Sequence, residues 1–155
     1  MTLASTALLL ADLQNDFLHA DGAYARGGQT NADIAALPAR LKPLAGGEPI
    51  VSPHLKKLRP FLGKGDFRPG SWGQQLVDEL GPADIAVEKL AFSAFYMSRL
   101  EWVLRKSGIE RLVVGGIVTN GGVASTVRDA HVRDIDCTVL EDGCAAFSRE
   151  VHRQA

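Results

Sequence analysis

The chain has 155 residues, 46% of them hydrophobic and 23% charged, with a formal net charge of -1. This composition is ordinary for a globular protein, so we interpret residues 1–155 as a single domain whose core needs neither disulfides nor metal. Lys and Arg are scattered along the chain, which argues against a nucleic-acid partner. The longest apolar run, Ala7 to Ala11, is too short to span a bilayer, and the N-terminus lacks the basic flank of a signal peptide.

Cysteine usage indicates the compartment. Cys137 and Cys144 are the only cysteines in the chain. Two cysteines near the C-terminus do not form a disulfide framework, which predicts a reducing, cytoplasmic setting. We interpret Cys144 as a buried structural thiol, since nothing near it in the sequence would lower its pKa.

The first half of the chain contains two candidate strands. The segment Thr6–Leu13 is a nearly continuous apolar run that ends near an acid, which is typical of a strand buried on both faces of a parallel sheet. Glycine-rich residues 17–29 predict a loop. Asn31 is placed to cap a helix from Ala32 to about Leu44, and Pro49–Ser52 is a possible second strand.

The second half continues the alternation of helices and strands. Trp72–Leu80 predicts a helix, and Ile85–Glu88 predicts a short strand that ends at Lys89. Ser98 is placed to cap a further helix, which Gly108 ends. The remaining predicted elements are a strand, a helix and a strand, at Arg111–Gly115, Gly121–Arg133 and Cys137–Leu140.

This alternation predicts the fold class and the location of the site. Strands that alternate with helices form right-handed βαβ units, so we expect a three-layer α-β-α fold with a parallel sheet between two helical layers. Ligands bind at the carboxyl ends of the strands in such sheets. Asp12, Lys89 and the loop after Gly115 all follow predicted strands, and we expect them to converge on one cleft.

Four segments resemble motifs of the isochorismatase-like (cysteine-hydrolase) superfamily. They are LLLADLQNDF at 8–17, EKLAFSAFY at 88–96, GIVTNGGVASTVRDA at 116–130 and VLEDGCAA at 139–146. The motifs occur in order and span most of the chain. The resemblance implies the three-layer α/β fold and a hydrolase that acts on a small molecule without a cofactor, and it leaves the substrate open.

The resemblance assigns the superfamily's acid to Asp12 and its lysine to Lys89. In the cysteine enzymes a thiol attacks an amide or related carbonyl, the aspartate takes the thiol proton, and the lysine supports the charge. Gly122 occupies the position of that thiol, and glycine supplies no nucleophile. True isochorismatases resemble the chain in having glycine there, and their aspartate protonates the carbon of a vinyl ether, after which water captures the cation. They usually have an aromatic residue where Val118 stands and a histidine where Asn120 stands.

Three functions are compatible with these residues. The first is a hydrolase with non-covalent general acid chemistry by Asp12, of the vinyl-ether type. The second is a cysteine-type amidohydrolase whose nucleophile has been replaced by Gly122, and the pair Thr119-Asn120 is closer to that group. The third is a catalytically silent binding protein of the same fold. Retention of both Asp12 and Lys89 argues against the third.

Further site residues follow from the resemblance. It implies a cis peptide between Ile117 and Val118, which would direct the amides of Val118 and Gly122 toward a bound oxygen. We predict substrate contacts for Val118, Thr119, Phe92 and Phe95, and core packing is the alternative for the two phenylalanines. Asp16 is expected to have a structural role.

Metal and partner predictions complete the sequence analysis. His54 follows a predicted strand, but Ser52 stands where metal-binding relatives have an aspartate, and no partner histidine is at hand. We therefore predict no metal site. The resemblance implies a homo-oligomer, either a dimer or a tetramer, and the mixed charge of Arg128–Arg133 suits such a contact.

Overall fold

The chain folds around a parallel sheet. A computed structural model describes residues 6–37, residues 57 and 67, and residues 70–155. Within these ranges three strands pair in the order β1 (Thr6–Ala11), β2 (Arg111–Ile117) and β3 (Asp136–Ala145). The strands pair from their first residues onward, so their carboxyl ends lie at the same edge of the sheet.

Short helices lie between the strands and after the last one. They are α1 (Asn15–Leu18), α2 (Ala23–Arg26), α3 (Ala32–Ala35), α4 (Leu100–Lys106), α5 (Ala124–His131) and α6 (Arg149–Arg153). In the described ranges, none of the helices has the length and apolar composition needed to cross a membrane.

A hydrophobic core covers each face of the sheet. Successive side chains of a strand point to opposite faces, and accordingly Leu9 and Leu10 of β1 join different cores. One core includes residues of β2, α4 and α5, namely Leu112, Val114, Leu100, Leu104 and Ala130. The other includes residues of β2, β3 and α3, namely Ile117, Ala145 and Ile34. The three-layer α/β fold expected from the sequence is confirmed.

The strands occur where the sequence predicts them, but their ends differ. β1 ends at Ala11 rather than Leu13, because Asp12 adopts a φ of 60° that turns the backbone out of the sheet. β2 continues two residues beyond Gly115. β3 runs to Ala145 rather than Leu140, and its pairing with β2 passes through an irregularity before that end.

Two of the predicted helices form, and one of them has the predicted N-cap. The side chain of Asn31 accepts hydrogen bonds from the amides of Asp33 and Ile34, each at 3.0 Å, at the start of α3. The predicted continuation of that helix over 38–44 lies outside the described residues, as does the predicted strand at Pro49–Ser52. The helix predicted before Gly108 forms as α4, but its N-cap residue is Arg99 rather than Ser98, whose Oγ accepts from the Leu100 amide at 3.1 Å.

The helix predicted at Trp72–Leu80 is wrong. Two 3₁₀ turns, Trp72–Gln74 and Asp78–Leu80, occupy this segment. Val77 and Leu80 are the buried apolar residues, and a spacing of three suits a 3₁₀ turn as well as an α-helix. Gly73 within the segment also lowers its helix propensity.

The strand predicted at Ile85–Glu88 is also wrong, since the segment has no strand pairing. The carbonyl oxygen of Ala86 accepts instead from the Arg99 guanidinium at 2.7 Å. The loop expected over 17–29 contains helix α2 and the end of α1. The helix predicted at Gly121–Arg133 begins instead as a π-helical turn, described below, and continues as α5.

Gly116 is a point of close approach between β1 and β2. Its φ is 136°, and a Cβ atom at this position would lie 2.2 Å from the carbonyl oxygen of Ala11. Because the obstructing atoms are backbone, a side chain would force the two strands apart. Glycine is therefore required at the point where β1 delivers Asp12 to the sheet edge.

Candidate active site

Asp12 and Lys89 meet at the carboxyl end of β1. Asp12 Oδ2 lies 2.9 Å from Lys89 Nζ, and the two side chains are only 16% and 21% exposed. Among the described residues, Asp12 is one of four non-glycine residues with a positive φ, a backbone conformation that often marks functional sites. The pair is therefore a largely buried ion pair at the edge of the sheet where α/β proteins bind ligands.

Gly122 lies directly against the Asp12 carboxyl group. A Cβ atom at Gly122 would be 2.9 Å from Asp12 Oδ2 and 3.3 Å from the carbonyl oxygen of Ile117. The structure thus brings together Asp12, Lys89 and Gly122, as the sequence predicts, while their catalytic roles remain predictions. Because glycine has no side chain, the space beside Asp12 Oδ2 that a Cβ would occupy is left open.

The turn that carries Gly122 has an unusual backbone. Residues Thr119–Val123 form a π-helical turn between β2 and α5, and such turns occur frequently at functional sites. The amides of Gly121 and Val123 both donate to the carbonyl oxygen of Val118, at 2.9 and 3.3 Å. The peptide bond from Ile117 to Val118 is cis, as the resemblance implies.

Burial sets the protonation of Asp12. Removal from water raises the pKa of the Asp12 carboxyl above its ordinary value, while the charge of Lys89 and its hydrogen bond lower it, and burial has the larger effect. The carboxyl group therefore keeps its proton to a higher pH than a free aspartic acid. The sequence alone did not show which of the two opposing effects on the pKa of Asp12, burial or Lys89, is larger.

The two phenylalanines have different positions. Phe92 is 62% exposed, and its ring edge lies 3.8 Å from the position that a Cβ of Gly121 would occupy. Phe92 is therefore an exposed side chain beside the turn that carries Gly122, and substrate contact by it remains a prediction. Phe95 is 5% exposed and lies in the core with the Arg133 guanidinium 5.0 Å from its ring centre. For Phe95 the structure shows the core packing that was the alternative to substrate contact.

Val118 and Thr119 flank the start of the turn. Val118 is half-buried, and its Cγ2 would be 2.8 Å from a Cβ at Gly121. Thr119 is 9% exposed, and its Oγ1 lies 2.7 Å from Nδ1 of His152 on α6. Substrate contact by either residue remains a prediction. Sequence reasoning missed His152, because a single histidine in a short terminal helix has no pattern that marks it.

Asp16 has the structural role expected for it. Its carboxylate accepts from the amides of Ala23 at 2.9 Å and Phe67 at 2.8 Å. A Cβ at Gly73 would lie 2.0 Å from Asp16 Oδ2, so the chain packs closely around this buried group. These contacts join α1, α2 and the turn at Gly73 beside the site.

Metal and thiol chemistry receive no support from the described residues. In these ranges no three or more His, Cys, Asp or Glu side chains form a group suited to a metal ion. His54 lies outside the described residues. Cys144 is buried, and burial raises the pKa of its thiol to about 11, which fits an inert structural cysteine.

Fold and site together define a three-layer α/β protein of the isochorismatase-like type. A family model described as Isochorismatase domain matches residues 6–155, so the chain belongs to the isochorismatase family. Members of this family are hydrolases.

Two curated relatives illustrate the range of similarity. The ureidoacrylate amidohydrolase RutB of Caulobacter vibrioides (strain ATCC 19089 / CIP 103742 / CB 15) is 43% identical over 88 residues, which cover 56% of this chain and 39% of that protein. The chain thus spans less than half the length of that relative. The uncharacterized isochorismatase family protein YecD of Escherichia coli O157:H7 is 32% identical over 165 aligned residues, covering 97% of this chain and 85% of that protein.

Solved structures show the same fold. An isochorismatase family protein from Desulfovibrio vulgaris subsp. vulgaris str. Hildenborough superposes with a TM-score of 0.77 at 25% identity, covering 97% of this chain and 87% of that one. N-carbamoylsarcosine amidase from Thermoplasma acidophilum superposes with a TM-score of 0.66 at 23% identity, covering 96% and 89%. Both solved structures therefore share the fold of this chain.

The protonation of Asp12 is directly testable. We expect a carbon-13 NMR titration to place the pKa of the Asp12 carboxyl above the ordinary value of about 3.9. Lys89→Met should raise this pKa further, because it removes both the charge and the hydrogen bond that lower it. Lys89→Arg retains a cation and should leave the pKa close to that of the unmodified protein. A fall in the pKa on Lys89→Met would contradict this assignment of causes.

Proposed function

We propose that the chain is a hydrolase that cleaves a small vinyl-ether substrate by non-covalent general acid chemistry of Asp12. The observation that carries the proposal is a buried carboxyl group with a raised pKa in contact with Gly122. A general acid must hold its proton at the working pH, and burial shifts the pKa of Asp12 in the direction that this requires. Gly122 offers no nucleophile, so the proposed reaction has no covalent intermediate.

The proposed reaction balances with Asp12 and water alone. The Asp12 carboxyl transfers its proton to the vinyl carbon, which leaves an oxygen-stabilised cation on the substrate. Water adds to this cation and returns a proton to the Asp12 carboxylate, and the resulting hemiketal separates into a carbonyl compound and an alcohol. Lys89, 2.9 Å from Asp12, stabilises the carboxylate that exists between the two proton transfers.

Neighbouring groups have secondary roles in this proposal. Phe92 at the mouth of the cleft and Val118 at the start of the turn supply apolar contacts to the substrate. The amides of Val118 and Gly122 direct an oxygen of the substrate, as the resemblance implies. No cofactor or metal takes part.

A second candidate is a cysteine-type amidohydrolase that has lost its nucleophile at position 122. It is favoured by the similarity to proteins named ureidoacrylate amidohydrolase. Asp12 and Lys89 are the partners that such a thiol would need. A silent binding protein is less well supported, because the Asp12–Lys89 pair is intact and in contact.

The first test removes the acid. Asp12→Asn should reduce cleavage of isochorismate by at least about 100-fold, the lower end of general acid contributions, because an amide cannot supply the proton. Asp21→Asn is a matched control, since this carboxylate is 86% exposed at another part of the surface, and it should leave turnover unchanged. Alkylation of the partly exposed Cys137 should also leave turnover intact. Full activity of Asp12→Asn would contradict the proposal.

The second test restores the missing side chain. Gly122→Cys should lower vinyl-ether cleavage, because a Cβ at this position would crowd Asp12 Oδ2 at 2.9 Å. Gly122→Ala adds the same Cβ without a thiol and should lower it equally. Robust hydrolysis of ureidoacrylate or other small amides by Gly122→Cys alone, with no vinyl-ether cleavage in the unmodified protein, would support the disabled cysteine hydrolase instead. No turnover in any form would support the silent binder.

A homo-oligomer in the cytoplasm forms part of the proposal. The resemblance implies association through surfaces near the last helices, and the mixed charges of Arg128–Arg133 suit a symmetric contact. Light scattering should therefore give the mass of a dimer or a tetramer. A mass of one chain throughout dilution in the micromolar range would refute the oligomer.

A further inference from the structure

A hydrogen bond joins the last helix to the turn at the site. His152 Nδ1 on α6 lies 2.7 Å from Thr119 Oγ1, and Thr119 is the first residue of the turn that carries Gly122. Thr119 is almost fully buried, whereas His152 is half-buried. The bond therefore ties the start of the turn to an element that has no other role in the site.

Helix α6 is itself fixed to the body of the domain. Arg149 Nε and one of its Nη atoms donate to both carboxylate oxygens of Asp33, at 2.9 and 3.1 Å. Ser148 Oγ accepts from the Val151 amide at 3.2 Å and caps the helix. Just before the helix, Asn31 donates to the carbonyl oxygen of Ala146 at 2.9 Å. The His152 ring thus projects from an anchored element.

The turn needs restraint from outside. Its centre contains two consecutive glycines, Gly121 and Gly122, and glycine leaves the backbone more conformational freedom than any other residue. Two hydrogen bonds from amides of the turn to the carbonyl oxygen of Val118 close the turn. Val118 is the residue just before the turn, so these bonds do not connect it to another element. The position of Gly122 against Asp12 therefore depends on contacts that the turn makes with other elements.

We propose that His152 is a positioning residue of the active site. It holds the Thr119 hydroxyl and thereby fixes the turn that places Gly122 and the backbone around it against Asp12. The ring accepts from the hydroxyl when Nδ1 carries no proton and donates when it does, so the bond persists with either nitrogen protonated. The effect of His152 on catalysis rests on the proposed function, whereas its effect on the conformation of the turn does not.

Hydrogen exchange measures the turn without any substrate. In His152→Ala, exchange of the Gly121 and Val123 amides should accelerate roughly fivefold, the size expected for loss of one net hydrogen bond. The amides of Leu112 and Val114 in β2 report global opening and should keep their rates. His152→Asn places an amide nitrogen or oxygen near the position of Nδ1 and should restore slow exchange of the turn. Unchanged turn amides in His152→Ala, or equal acceleration in β2, would overturn the proposal.

Turnover supplies the second measurement. With isochorismate as the probe, His152→Ala should lower kcat several-fold with a smaller change in KM, and His152→Asn should recover most of the loss. Arg153→Ala alters the next residue of α6 and should leave kcat unchanged. If hydrogen exchange of the turn accelerates in His152→Ala while kcat does not fall, the catalytic part of the inference is wrong. If the unmodified protein cleaves no isochorismate, the proposed function fails, and the exchange rates still decide the role of His152.

Discussion

The close approach of β1 to β2 at their carboxyl ends determines where the site forms. Ala11 pairs with Gly116, and no side chain fits at Gly116 because the backbone of Ala11 occupies that space. β1 ends at this contact, and Asp12, the next residue, adopts a left-handed backbone conformation. β2 ends one residue beyond the contact, and the turn with Gly122 begins at Thr119. Both halves of the site thus leave the sheet from the same fixed point.

Burial of the acid governs the chemistry that this arrangement can support. A cation at 2.9 Å would by itself hold an aspartate ionised, yet removal from water outweighs Lys89 and raises the pKa of Asp12. The lysine then has a greater effect on the carboxylate than on the protonated acid. In the proposed reaction, Lys89 would stabilise the carboxylate that Asp12 becomes after it gives up its proton.

The sequence predicts the site residues that follow strands. It does not predict the residues whose place in the site depends on contacts between distant parts of the chain. The apolar runs of β1 and β2 and the motif residues Asp12 and Gly122 are recognisable because each lies in a continuous local pattern. Lys89 reaches the acid although the strand predicted before it does not form. The carbonyl oxygen of Ala86 accepts a hydrogen bond from the side chain of Arg99 and not from a neighbouring strand. The contact between Thr119 and His152 joins residues 33 positions apart and leaves no local pattern to detect.

Gly122 also changes the electrostatic balance of the site. A thiolate at that position would place a second negative charge beside Asp12 and share the single lysine, and amide chemistry requires Asp12 to accept a proton from the thiol. Without the thiol, the charge of Lys89 is not shared with a thiolate beside Asp12. The proposed chemistry and amide chemistry thus require opposite starting protonation states of the same acid. Burial that raises the pKa of Asp12 favours the state in which the acid gives its proton first.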